Sequence, residues 1–234
     1  MRWRSSYSNL LTRDCLPDRE KLSTNQNYLF DGLFAECHAY RVMSLACVET
    51  QSYSSNRTLI LHELERTLAA VSDADAAAAQ RTILAARRVF VMGAGRSGLA
   101  LKMAAMRLMH LGLAVHVAGE VTAPAIGHGD LLLVASGSGT TASVVHAAEV
   151  AVKAGAQVLA LTAVRESKLG MLAQGVVVIP AATKRDHGGT MSEQYAGALF
   201  EQSTLFIMDA IFQAMWRDCG ASAEELWKRH ANLE

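Results

Sequence analysis

The chain has no excess of either charge. Its 234 residues carry 22 lysines and arginines against 22 aspartates and glutamates. Without a clustered basic stripe there is no electrostatic footprint for nucleic acid, and no nucleic-acid partner is expected. No apolar run approaches the roughly 18 residues that would signal a bilayer-crossing helix, so no membrane partner is expected either. The opening MRWRSSYSNLLTRD is positively charged but lacks an apolar stretch, which argues against a secretory signal. The four cysteines (Cys15, Cys37, Cys47 and Cys219) show no C-x-x-C spacing. Such usage fits a reducing cytoplasm. No histidine pair has the H-E-x-x-H spacing, so a structural metal is not expected. Low-complexity tracts and internal repeats are missing too. What the chain has in quantity is apolar residues, 51% of the total. That is enough for one α/β domain with a full core, or two small domains.

Two regions differ in texture. Residues 1–57 have short apolar islands, YLFDGLF and YRVMSLACV, but no clear periodicity, and are expected to be an N-terminal extension. Residues 58–234 are orderly. TLILHELERTLAAV sets Leu59, Leu61, Leu64, Leu68 and Val71 near helical spacing. Ser72 or Asp73 can cap a second helix, ADAAAAQRTILAAR. Five short apolar runs follow: 88–93, 114–120, 130–136, 157–163 and 176–181. Helical segments separate most of them. Continuous apolar strands are buried on both faces, so the expectation is α/β: a doubly wound five-stranded parallel sheet flanked by helices. The tail reads as helix from Ser192 to Gly220, then SAEELWKRHANLE. Met103, Met106 and Met109 are expected to be core filler. The helix LFIMDAIFQAMW, apolar around most of its circumference, is expected to be buried in a core or against another subunit.

Two glycine-rich loops fall at the carboxyl ends of strands, where such sheets bind ligands. The first is GAGRSG, residues 93–98, which spells G-x-G-x-x-G. Glu120 lies 22 positions beyond Gly98, near where a dinucleotide site places its ribose-binding carboxylate. A lone G-x-G-x-x-G is common at strand-to-helix turns, however. The second loop, SGSGTT at 136–141, asks for something else. Ser136, Ser138, Thr140 and Thr141 supply four hydroxyls, Gly137 and Gly139 free the backbone amides, and a helix begins there. Hydroxyls, amides and a positive helix end make a nest for a phosphate monoester. The G-K-[ST] ending of a nucleotide P-loop is absent. The bland reading is a capped turn, but four hydroxyls exceed what a cap uses.

GAGRSG, VASGSGTT, GALFEQ and the terminal ELWKRHANLE together resemble the sugar-isomerase (SIS) domain, and within it the 6-phospho-3-hexuloisomerases. The resemblance covers about 58–234. It implies an isomerase that interconverts D-arabino-hex-3-ulose 6-phosphate and fructose 6-phosphate through a cis-enediol, without cofactor or metal. It makes GAGRSG a sugar-phosphate loop, with Ser97 touching substrate and Ser136, Gly137, Ser138, Gly139, Thr140 and Thr141 holding the phosphate. It makes Glu201 the proton acceptor, among the apolar neighbours Leu199, Phe200 and Leu205. It also implies that His230 enters from a neighbouring subunit's tail to shuttle the oxygen-bound proton. Further implications are a cytoplasmic homo-oligomer, a tetramer built from dimers, and coupling to a 3-hexulose-6-phosphate synthase in the ribulose monophosphate pathway of formaldehyde assimilation. Arg96, His187, Glu120 and Thr122 are additional candidate contacts. His110, His116, His128 and His146 read as packing or surface residues. Two other classes compete. One is a non-catalytic regulator that senses sugar phosphates, although residues 1–57 are short and not basic for a DNA-binding unit. The other is an NAD-dependent dehydrogenase.

Overall fold

A computed structural model describes residues 52–182 and 191–233. The extension expected over 1–57 therefore falls outside the described residues except for 52–57, and His187 lies outside them as well.

Two helices come first, α1 (Tyr53–Ala69) and α2 (Asp73–Ala85). The Ser72 hydroxyl caps α2, accepting from the amide of Asp75 at 3.2 Å. Then β1 (Val89–Gly93), α3 (Arg96–His110), β2 (Val115–Val117) and β3 (Leu131–Ala135) follow. After them come α4 (Ala142–Lys153), β4 (Gln157–Thr162), α5 (Lys168–Leu172), β5 (Gly175–Val178), α6 (Ala198–Cys219) and α7 (Ala223–Trp227). All five strands are parallel, in the order β2-β1-β3-β4-β5. This is the expected doubly wound sheet.

Alternation along each strand builds two cores. Val89, Val91, Leu131 and Leu133 face a cluster that includes Leu64, Ile83, Leu101, Leu108, Phe200 and Met208. Phe90, Leu132 and Val134 face a second cluster with Val144, Ala148 and Leu169. So α1, α2, α3 and α6 cover one face, while α4 and α5 cover the other. Both faces are dry, which is why the strand sequences show no polar alternation. Among the described residues no helix is long and apolar enough to cross a membrane.

Two expectations fail. Met103 and Met106 are not core filler: they are about half exposed on α3, while Leu101, Ala104, Ala105 and Leu108 of the same helix are buried. A spacing of three fits either face of a helix, and the better-packing leucines took the inner one. The helix expected from Ser192 begins only at Ala198. Residues 192–194 direct their donors at Glu63 of α1, and Ala196 adopts φ 53°, which no right-handed helix accommodates.

Candidate active site

The order β2-β1-β3 puts the switch in strand order between β1 and β3. Chain leaving β1 turns towards one edge of the sheet, and chain leaving β3 towards the other. A crevice opens there, beyond the carboxyl ends of the strands. Both glycine loops sit at this crevice, and a cavity of about 260 Å³ lies between them.

The first loop fits its place through a close approach. The Cα of Gly93, last in β1, faces the first turn of α3 so tightly that a Cβ would stand 2.8 Å from the amide nitrogen of Gly98. A Cβ on Gly98 would run into the carbonyl oxygen of Gly93. The first and third glycines of the G-x-G-x-x-G spelling are thus explained by backbone packing alone. The close contact brings the buried Ser97 and Ala94 to the cavity wall.

Ser136, Gly137, Ser138 and Thr141 of the second loop line the same cavity. Gly139 makes the turn, with φ 61° and its amide donating to the carbonyl of Ser136 at 3.0 Å. The Ser136 and Thr141 hydroxyls pair at 2.9 Å, and the Thr140 hydroxyl donates to that of Ser138 at 3.0 Å. Thr141 is the N-cap residue of α4, yet its side chain does not cap the helix. The first turn of α4 therefore retains the partial positive charge that favours an anion. Of the six loop residues, Gly139 and the exposed Thr140 do not line the cavity.

The start of α6 closes the third side with Gly197 and Phe200. The next residue is Glu201, only 6% exposed. The Arg96 guanidinium donates through Nε to Glu201 Oε2 at 2.6 Å. Here the pair joins the first turn of α3 to the first turn of α6. Sequence reading placed Arg96 as a contact but did not see this partner, which lies 105 residues away.

The remaining candidates lie elsewhere. Glu120 is exposed and paired with Lys102 at 2.9 Å, and Thr122 is exposed outside the cavity lining. His230 stacks on Trp227 at 4.5 Å and on His110 at 5.3 Å between ring centroids. Because His110 ends α3 and Ser97 lies in its first turn, His230 sits roughly 20 Å from the cavity in its own chain, at 1.5 Å rise per residue. A separate cavity of about 420 Å³, lined by His110, His230, Trp216 and Trp227, marks that place. Burial there, helped by the charges of His230 and Arg107, holds the His110 imidazole below its usual pKa. Among the described residues no group of three or more histidine, cysteine or acidic side chains is arranged to hold a metal ion.

The family model described as the SIS domain matches residues 82–204, a span that contains both glycine loops and Glu201. A 3-hexulose-6-phosphate isomerase of Mycobacterium gastri is 56% identical over 77% of this chain and 91% of its own. A protein of the same name from Bacillus subtilis is 39% identical, over 75% of this chain and 95% of its own. Among solved structures, a Methanococcus jannaschii protein whose crystal structure inferred the function of a 3-hexulose-6-phosphate isomerase superposes with a TM-score of 0.67. It is 25% identical, over 77% of this chain and 99% of that one.

Proposed function

This chain belongs to the SIS-domain family, and from that premise we propose that it interconverts D-arabino-hex-3-ulose 6-phosphate and fructose 6-phosphate, with Glu201 as the base. The coarser statement needs no proposal: the protein is an isomerase of sugar phosphates. One observation carries the finer reading. A buried carboxylate, Glu201, follows the cavity-lining Phe200 in the first turn of α6 and is paired with Arg96 of the first glycine loop.

The chemistry suits that arrangement. The carbonyl moves from C3 to C2. A base takes the proton from C2 to give the cis-enediol and returns it at C3, while the oxygen-bound proton moves from O2 to O3. The phosphate on O6 prevents the C3 ketone from closing a five-membered ring, so the substrate enters open-chain. The phosphate settles on the Ser136–Thr141 loop with Ser97 beside it, which fixes the reacting carbons near Glu201. Arg96 orients the Glu201 carboxylate before transfer. When Glu201 takes the proton, its claim on the guanidinium weakens, and the cation is at hand for charge developing on the enediolate.

His230 is the group proposed for the oxygen-bound proton. It reaches a cavity only from a second copy of the chain. An exposed apolar stripe on α3, Leu99, Met103 and Met106 at positions i, i+4 and i+7, supports association of that kind. We carry the homo-oligomer, the cytoplasmic setting and the coupling to a hexulose-phosphate synthase as parts of the same reading.

A coupled assay tests it. Formaldehyde, ribulose 5-phosphate and a hexulose-phosphate synthase are supplied, and fructose 6-phosphate is followed. Wild-type protein is expected to turn over and Glu201→Gln to lose nearly all activity while still binding fructose 6-phosphate. A sugar-phosphate sensor would bind fructose 6-phosphate without turnover, and that result would overturn the reading.

A further inference from the structure

We infer that Glu63, on α1, is a positioning residue that holds the chain entering α6 and thereby sets where Gly197 and Glu201 stand relative to the phosphate loops. The inference rests on the reading of Glu201 as the base.

Glu63 is 4% exposed, in a helix whose remaining acidic residue, Glu65, is at the surface. Its two oxygens serve three donors from one short segment. Ser192 donates through its hydroxyl at 2.7 Å to Oε2, Glu193 through its amide at 2.8 Å to Oε1, and Gln194 through its side-chain nitrogen at 2.9 Å to Oε2. The Ser192 hydroxyl in turn accepts from the Gln194 amide at 3.0 Å. One turn further along α1, Arg66 donates to the carbonyl of Met191 at 3.3 Å. So α1 grips four consecutive residues, 191–194.

The gripped segment leads straight into the site. Three residues on, Gly197 lines the cavity, and Phe200 and Glu201 follow in the first turn of α6. Locally that entry is held by one backbone turn, the Ala198 amide donating to the Tyr195 carbonyl at 3.2 Å, with no side-chain cap. Gly197 is the N-cap residue and has no side chain to cap with. Ala196 holds φ 53°, the one left-handed residue other than glycine among those described. A left-handed alanine is unfavourable by itself and persists only when its surroundings over-determine it. The anchor to Glu63 is what supplies that constraint. Isolated helix termini fray, whereas a base must be placed to a fraction of an ångström.

The role is distinct from those of the loops. Ser97 is fixed by the Gly93–Gly98 contact and the Ser136–Thr141 turn by the sheet and by the Leu169 amide donating to the Gly139 carbonyl at 3.0 Å; no hydrogen bond joins them to Glu63, and the α6 entry meets them at Phe200 beside Gly137. Loosening the Glu63 anchor should therefore slow turnover without weakening the grip on the phosphate ester. A purely structural residue would instead lower turnover only in proportion to the fraction folded, which circular dichroism reads independently.

The test uses the full chain in the coupled assay, with far-UV circular dichroism to establish folding at the assay temperature. A misplacement of about 1 Å costs on the order of 100-fold in rate, so Glu63→Ala is expected to lower kcat by about that factor. Glu63→Gln, which keeps one acceptor oxygen, is expected to fall between it and wild type. KM, and the inhibition constant of inorganic phosphate, should stay within about threefold of wild type, since the phosphate contacts are untouched. The double variant Ser192→Ala, Gln194→Ala removes the donors instead of the acceptor. It is expected to give the same kcat-selective loss, and it carries the test if Glu63→Ala does not fold. Wild-type kcat in any folded variant of this set overturns the inference, as does a loss that merely follows the folded fraction. Glu201→Gln separates the two levels: if it retains turnover the base assignment fails, whereas an inactive Glu201→Gln beside fully active Glu63 variants refutes the clamp alone.

Discussion

Gly93→Ala probes the site through a single methyl group. The added Cβ would stand 2.8 Å from the amide nitrogen of Gly98, 3.0 Å from its Cα and 3.1 Å from the carbonyl carbon of Ser97. Comfortable contact needs about 3.5 Å, so β1 and the first turn of α3 must separate by roughly half an ångström. All three obstructing atoms are backbone, and no side chain can rotate away. Overpacking of this kind costs about 1–3 kcal/mol, equivalent in a domain of this size to a fall in Tm of about 5 °C. The displacement carries Ser97 away from the phosphate loop and Arg96 away from Glu201. On the scale where 1 Å costs about 100-fold, half that shift lowers kcat/KM by roughly tenfold. Thermal unfolding and the coupled assay read the two effects separately. A variant with wild-type Tm and wild-type kcat/KM would refute both the backbone contact and the placement of the site at the β1–α3 turn.

Arg96→Gln removes a charge-assisted hydrogen bond of about 1.5–3 kcal/mol from Glu201, so kcat/KM should drop by roughly 10- to 100-fold; an unchanged value would remove Arg96 from the mechanism. Asp130, fully buried at the opposite ends of the strands, accepts from Arg88 at 2.6 and 3.0 Å and from the Gly127 amide at 2.9 Å. Asp130→Asn removes the charge from those part-buried hydrogen bonds and should cost about 2 kcal/mol in a urea titration while KM stays at its wild-type value. His110 is held neutral by burial and by the neighbouring charges of His230 and Arg107. Its pKa is lower folded than unfolded, so this contribution is complete above about pH 6.5 and is lost as pH falls below it. Tm should rise between pH 5.5 and 7, and His110→Leu should flatten that rise. Met103→Glu with Met106→Glu puts charge on the exposed stripe of α3. Light scattering should show dissociation, and if a second copy delivers His230, activity falls with it.

The sheet was legible because its signal is local and redundant. Leu131 to Ala135 are all buried, and a strand dry on both faces announces itself as an unbroken apolar run. The second glycine loop was legible as a loop for the same reason: its hydroxyls and glycines are neighbours in sequence. What escaped was non-local. The partner of Arg96 is 105 residues away, and the donors to Glu63 are 129–131 residues beyond it. Residues 192–197 read as helix on composition, and only the competing acceptor on α1 stops them. One signal was available. Glu63 lies on the buried side of α1 with Leu64 and Thr67, and an acid on a buried stripe asks for donors from elsewhere in the chain. The methionines of α3 failed for a different reason, since a spacing of three does not say which face turns inward.

The G-x-G-x-x-G spelling is where sequence and structure diverge most usefully. The dinucleotide reading uses its first and third glycines for the turn and helix–strand packing, its second for approach to a pyrophosphate, and an acid one strand later for a ribose. Here Gly93 and Gly98 are consumed by each other, strand end against helix start, and Glu120 is engaged by Lys102. The two glycines thus bring a strand and a helix together, whatever ligand the site takes. Ligand choice passes to what stands opposite: three cavity-lining hydroxyls on the second loop, an α4 N-terminus left uncapped by Thr141, and a carboxylate on α6 steadied by Arg96. A phosphate monoester with acidic carbon-bound hydrogens a few bonds away answers all three demands, whereas a dinucleotide leaves the carboxylate with nothing to do.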